Sequence, residues 1–172
     1  LLNYDRKVLF FCGLNFINRK VNQGKAAFSQ KALEWYQFGL YNGLLIENGI
    51  LNEVTFGNIV TFGCREKAFE WTKDFMEAHQ HLLEDAQRED VLTYHLGVWH
   101  FYQKDFEAAF SILVNHTFIP AYFLKARLTA IRAVFEQFIV DLGYYDLLKH
   151  QIHAFEMALK RSKAFSDYAK KP

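Results

Sequence analysis

The stretch Gly97-Val98-Trp99-His100-Phe101-Tyr102-Gln103-Lys104-Asp105-Phe106-Glu107-Ala108-Ala109-Phe110 reads as the end of one helix, a tight turn and the start of the next. Similar turns precede Phe69 and Tyr145, so the helix-pair motif recurs near-periodically. A single helical hairpin leaves an apolar face wet; stacking neighbours removes it from water at roughly 25 cal/mol per Å². The expected fold is therefore all-α, a right-handed stack of about four antiparallel helical hairpins forming one domain over residues 1–172. In this register Phe69, Phe106 and Tyr145 align, and Thr72, Ala109 and Leu148 face the preceding helix. Thr72 and Ala109 let backbones approach closely; Leu148 does not, so the last pair is expected to be splayed or differently packed.

Working outward, apolar spacing predicts a first helix over about 3–20, closed at Asn22-Gln23-Gly24, and a second carrying Leu33, Tyr36, Leu40 and Leu44 on one side. Asn42-Gly43 and Asn48-Gly49 favour left-handed backbone and make 43–53 the most irregular stretch; no segment shows strand alternation. A third helix is expected over 54–64 and a fourth from Lys67, with Ala68, Thr72, Phe75, Met76 and His79 along one side. The fifth, 89–103, is apolar on two faces, Leu92, Leu96 and Trp99 on one and Val91, Tyr94, Val98 and Phe101 on the other, which reads as a helix sandwiched between neighbours. A sixth follows from Phe106. The seventh, 121–142, carries Leu124, Leu128, Ile131, Phe135, Phe138 and Leu142 as an inward stripe, and the eighth, 144–163, turns Leu148, Ile152, Phe155 and Leu159 inward and Lys149, Glu156 and Lys160 outward.

Composition narrows the class. Hydrophobic residues make up 51% of the 172, enough for a real core, and only two prolines interrupt the chain. A formal net charge of +1 gives no bulk pull toward nucleic acid or an anionic membrane, and neither is expected as a partner. The basic cluster of Lys160, Arg161, Lys163, Lys170 and Lys171 reads as a solvated helix end. Cys12 and Cys64, without metal-ligand spacing, read as buried reduced thiols and place the chain in the cytoplasm. The apolar run Val8 to Leu14 is too short to span a bilayer and lacks a cleavage site. Starting without Met, the chain reads as part of a longer protein.

Leu96-Gly97, Tyr102, Lys104-Asp105-Phe106 and Ala108-Ala109 together resemble a tetratricopeptide repeat, whose first helix carries a Leu-Gly pair and whose second opens with an aromatic and a small residue. Over Leu33 to Phe110, with Asn58-Ile59-Val60-Thr61 and Tyr102 to Phe106, the chain also resembles tetratricopeptide-like proteins of Bacteroidetes, a group that brings no known reaction. The resemblance implies a helical solenoid whose first helices line a concave groove for an extended peptide or a partner helix. It places Val91, Tyr94, Val98, Phe101 and Tyr102 on that groove, with Thr61, Cys64 and Arg65 in the repeat before. The Lys and Asn pair that clamps a peptide carboxylate in chaperone-binding members is missing from the matching positions, so an apolar or aromatic-rich partner is expected.

Other chemistries find less support. His150 and His153 sit one turn apart beside Glu156, but a third ligand elsewhere is lacking, and no metal or cofactor is expected. His95 and His100 flank Trp99 and read as interior packing, while His79-Gln80-His81 suits a helix terminus. Ser29, Ser111, Ser162 and Ser166 lack a nucleophile elbow, and phosphate-binding glycine loops are missing. Glu84-Asp85 and Glu89-Asp90 read as solvated loop and cap residues; Lys125, Arg127 and Arg132 put cations on one long helix, but Arg127 and Arg132 lie too far around it to form one stripe, so a rim for acidic ligands is the lesser reading. The function expected is a non-enzymatic scaffold binding a peptide or partner helix through Arg65, Val91, Tyr94, Val98, Phe101 and Tyr102. The alternatives are a self-associating module, giving a homodimer, and an enzyme with an inter-helix metal site.

Overall fold

The turn at Lys104 has a specific hydrogen-bond pattern. Lys104 adopts left-handed backbone (φ 66°), its N–H donates to Phe101 O, and the Asp105 N–H donates back to His100 O. This pairing satisfies the last carbonyls of a helix and is the Schellman closure. The same pattern recurs at Lys67 (φ 59°), with Lys67 N–H to Cys64 O and Ala68 N–H to Gly63 O. It also closes the first two helices, at Gly24 and Gly43. Two of the three turns aligned from the sequence are thus the same object. The third is not: Asp141 is extended (φ −137°, ψ 112°), its carboxylate accepts from Gly143 N–H, and a 3₁₀ turn over Leu142–Tyr144 leads into the last helix.

The computed structural model describes residues 2–161. Its helices are α1 (Leu2–Asn22), α2 (Ala27–Tyr41), α3 (Glu53–Arg65), α4 (Phe69–His79), α5 (Arg88–Tyr102), α6 (Phe106–Asn115), α7 (Pro120–Val140) and α8 (Tyr145–Arg161). Asn52 and Asp105 cap α3 and α6 by accepting from Val54 and Ala108 N–H, and Pro120 occupies the first turn of α7, where its missing N–H costs nothing. Among the described residues no helix is long and apolar enough to cross a membrane. The expected end of the last helix, at 162–163, lies outside the described residues, as do Lys163, Lys170, Lys171, Ser162 and Ser166.

The irregular stretch contains a short hairpin, β1 (Ile46–Glu47) antiparallel to β2 (Ile50–Leu51), which the sequence reading did not anticipate. Asn48 and Gly49 both have positive φ, 52° and 79°, the two-residue turn whose twist matches paired strands. Leu51 is fully buried and anchors the hairpin to the core.

Helices pack in a definite order. Successive helices touch, and beyond them α3 packs on α5 and α5 on α7; α6 lies along both α5 and α7. On the first helix the buried side chains Phe10, Leu14 and Ile17 form one stripe facing α2, where Trp35 packs on Gly13 and donates to Phe10 O at 3.1 Å. The Tyr36 hydroxyl accepts from Asn18 at 3.0 Å and from Asn58 at 3.0 Å, so one buried atom joins α1, α2 and α3. Thr72 meets Gly63 where α3 and α4 cross, and Gly97 meets Leu113 where α5 and α6 cross. Thr72 and Ala109 are fully buried, in line with the close approach expected of them.

Three expectations are corrected. The buried side of α7 is Tyr122, Ala126, Thr129, Ala130, Ala133 and Val134, whereas Leu128, Phe135 and Leu142 are 50%, 46% and 75% exposed. Ala126 and Ala130 on this side pack against Leu113 of α6. Ile152, expected inward, is 41% exposed, and Cys12, expected buried, is exposed; Cys64 is buried, which pushes its thiol up to about 12.

A non-glycine residue in left-handed backbone costs roughly 1–2 kcal/mol, partly offset by the unfolded-chain entropy that glycine adds. Lys104→Gly is expected to raise unfolding stability by roughly 0.5–1 kcal/mol and Lys104→Val to lower it, as read from urea denaturation. Equal effects of the two substitutions would remove the turn assignment.

Candidate functional site

The six residues expected to bind a partner separate into two groups. Val91 is fully buried and Val98 is 8% exposed, because α3 and α7 close over α5 from either side. These two are corrected from partner-binding to core positions, and Cys64, 1% exposed, goes with them. The closure has a specific clasp: the Tyr122 hydroxyl on α7 donates to Glu53 Oε2 on α3 at 3.1 Å. Tyr94 is half-buried, its ring 5.5 Å from that of Tyr122 and 4.9 Å from that of His95, and burial pushes its hydroxyl up. Phe101 and Tyr102 remain half-exposed, with the Arg132 guanidinium 4.8 Å over the Phe101 ring; Arg65 is exposed and lies over Phe62. The outer edge of the expected face survives as surface, and its middle is interior.

Polar groups tighten this region. Asp90, expected to be a solvated cap, is 8% exposed; its Oδ1 accepts from His116 Nε2 at 3.1 Å and from Ile119 N–H at 3.2 Å. It therefore pins the 116–119 loop and sets where α7 begins. His95 is buried as expected, with Nδ1 2.7 Å from Val91 O. A carbonyl can only accept, so Nδ1 carries the proton and Nε2 faces Gly57, where a methyl group would lie 2.6 Å away. Burial lowers the His95 pKa to about 4 despite the helpful carbonyl.

The sequence reading missed a cleft between α4 and α5. These helices touch sparsely, whereas α6 and α7 pack along their length. The cause is the connection: α4 gives way to a 3₁₀ turn, Gln80–Leu82, and the chain runs on to Arg88 before α5 begins. Arg88 locks this connection, donating to Gln80 O at 2.9 Å and Leu83 O at 2.8 Å and pairing with Asp85 at 2.6 Å. The cleft encloses about 600 Å³ over an apolar floor of Met76, Leu92, Leu96 and Trp99, with Lys73, Glu77 and His100 at its edge. Trp99 is held by its Nε1–H, which donates to Phe69 O at 2.9 Å. Leu92, Leu96 and Trp99 were legible as one face of the fifth helix; that α4 leaves them half-exposed was not.

The remaining candidates are placed as follows. His150 and His153 are exposed on α8, and among the described residues no group of three or more His, Cys, Asp or Glu side chains is arranged to hold a metal. His79 Nδ1 lies 3.0 Å from Phe75 O and its ring stacks on Phe75; His100 Nδ1 lies 3.0 Å from Asp105 Oδ2. Lys125 and Arg127 sit over the rings of Tyr122 and Phe123, at 4.8 Å and 5.6 Å, as Arg132 does over Phe101. No family model, curated protein or solved structure matches the chain.

His95 makes folding pH-dependent. The unfolded chain takes up its proton near the ordinary histidine value of 6.5 and the native chain only near 4, so this contribution is complete above about 6.5. It is lost as pH falls from 6.5 to 4, at up to about 1.4 kcal/mol per pH unit. His95→Asn is expected to cost stability at pH 7.5 but to flatten the decline between pH 6.5 and 4.5, as read from urea midpoints. An unchanged slope would show that another group titrates.

Proposed function

We propose that the chain is a helical-repeat scaffold of the tetratricopeptide type that holds a peptide or a partner helix and performs no reaction of its own. The identical closures at Lys67 and Lys104, and the α3–α5–α7 packing order, support a repeating hairpin stack. The observation that carries the binding role is the α4–α5 cleft. An open apolar floor ringed by a few polar groups, about 600 Å³ in extent, suits two or three aliphatic or aromatic anchors spaced along one side of a short helix. The Lys73 ammonium sits 5.9 Å from the Trp99 ring, over one edge of that floor. The groove expected from the repeat resemblance contributes only its outer rim, Arg65, Phe101 and Tyr102, because Val91 and Val98 are interior.

Selection of random peptides on the immobilised chain tests both halves of this reading. Peptides with apolar residues at helical spacing are expected to emerge, to shift Trp99 fluorescence, and to lose at least tenfold in affinity on Leu96→Gln. Binding that ignores Leu96→Gln but falls with Phe101→Gln moves the site to the rim. A library yielding nothing above background rejects the scaffold reading.

A further inference from the structure

On the outward side of α8, Tyr145, Lys149, Ile152, His153, Glu156 and Lys160 form one stripe, each within three or four residues of the next along the helix. All six are exposed, Tyr145 at 55% and Ile152 at 41%. A shallow groove of about 420 Å³ runs along this side, and among the described residues it is lined by α8 alone. Lys149, Glu156 and Lys160 have no ion-pair partner among the described residues.

The order of residues on the stripe identifies what covers it. Turned end for end about a twofold axis between Ile152 and His153, the stripe meets itself in complementary pairs: Tyr145 with Lys160, Lys149 with Glu156, and Ile152 with His153. The first is an ammonium against an aromatic ring and the second an ion pair, and a twofold axis makes each of them twice. A parallel mate would instead oppose Lys149 to Lys149 and Glu156 to Glu156, which is repulsive at both positions. We propose that this side of α8 is the self-complementary interface of an antiparallel homodimer, with two reciprocal Lys149–Glu156 pairs setting its register. The surface is separate from the α4–α5 cleft, so the dimer presents two clefts.

Sedimentation of the 172-residue chain over about 1–100 μM tests this. The wild type is expected to pass from monomer to dimer, and Lys149→Glu or Glu156→Lys alone to weaken association by about tenfold or more. Combining the two reversals restores opposite charges across the axis and is expected to return association to near the wild-type value. Lys149 and Glu156 are two turns, about 10 Å, apart on their own helix, so rescue cannot arise within one chain. Both positions are exposed, and far-ultraviolet circular dichroism checks that each variant keeps its helices. A chain monomeric throughout overturns the proposal. So does association insensitive to the single reversals, or a double variant as weak as the two singles combined.

Discussion

The placement of His95 against Gly57 is the contact on which the rest of the architecture depends. Without a side chain at Gly57, α5 approaches α3 closely enough for the imidazole to lie on the backbone, where Phe56, Tyr94 and Tyr122 enclose its ring at 5.8, 4.9 and 6.4 Å. That approach brings Tyr122 of α7 within reach of Glu53 on α3, and the hydrogen bond between them closes the gap in front of α5. Val91 and Val98 become interior as a result. One missing methyl group therefore decides both how three helices stack and how much of the expected groove exists.

The polar interior works with this packing. Tyr36 joins the first three helices through two asparagines, and Asp90 holds the loop that starts α7. The Tyr36 hydroxyl takes its donors from α1 and α3, and Asp90 on α5 takes both of its donors from the 116–119 loop, so these bonds form only when the elements that carry them are correctly placed. By contrast, Arg88 organises the surface connection between α4 and α5, donating to the carbonyls of Gln80 and Leu83. Tight and open helix junctions thus follow from where the connecting chain spends its hydrogen bonds.

Much of the fold was legible because helix ends and apolar periodicity are local properties. Asn22-Gln23-Gly24, Asn42-Gly43 and the Lys67 and Lys104 turns all mark where helices stop. Face assignment in α7 failed because the stripe of Leu124, Leu128 and Phe135 outweighs Ala126, Ala130 and Ala133 in hydropathy, yet it is the alanine side that is buried, with Ala126 and Ala130 packed on Leu113 of α6. The hairpin escaped notice because two-residue strands show no alternation; the Asn48-Gly49 pair was its one signal. Of the binding face, the aromatic character of Tyr94, Phe101 and Tyr102 was readable. The burial of Val91 and Val98 was not, since it depends on a clasp between Glu53 and Tyr122, far apart in the chain. The α4–α5 cleft is likewise a property of spacing between helices rather than of either one.

A double-mutant cycle between Gly57 and His95 tests the central contact most directly. Gly57→Ala alone is expected to cost about 1–3 kcal/mol by forcing the two helices apart. In a His95→Ala background the space is free and only the helix preference of alanine over glycine remains, so the same substitution becomes stabilising by roughly 0.5–1 kcal/mol. A reversal of sign supports the packing described; an identical cost of Gly57→Ala in both backgrounds contradicts it.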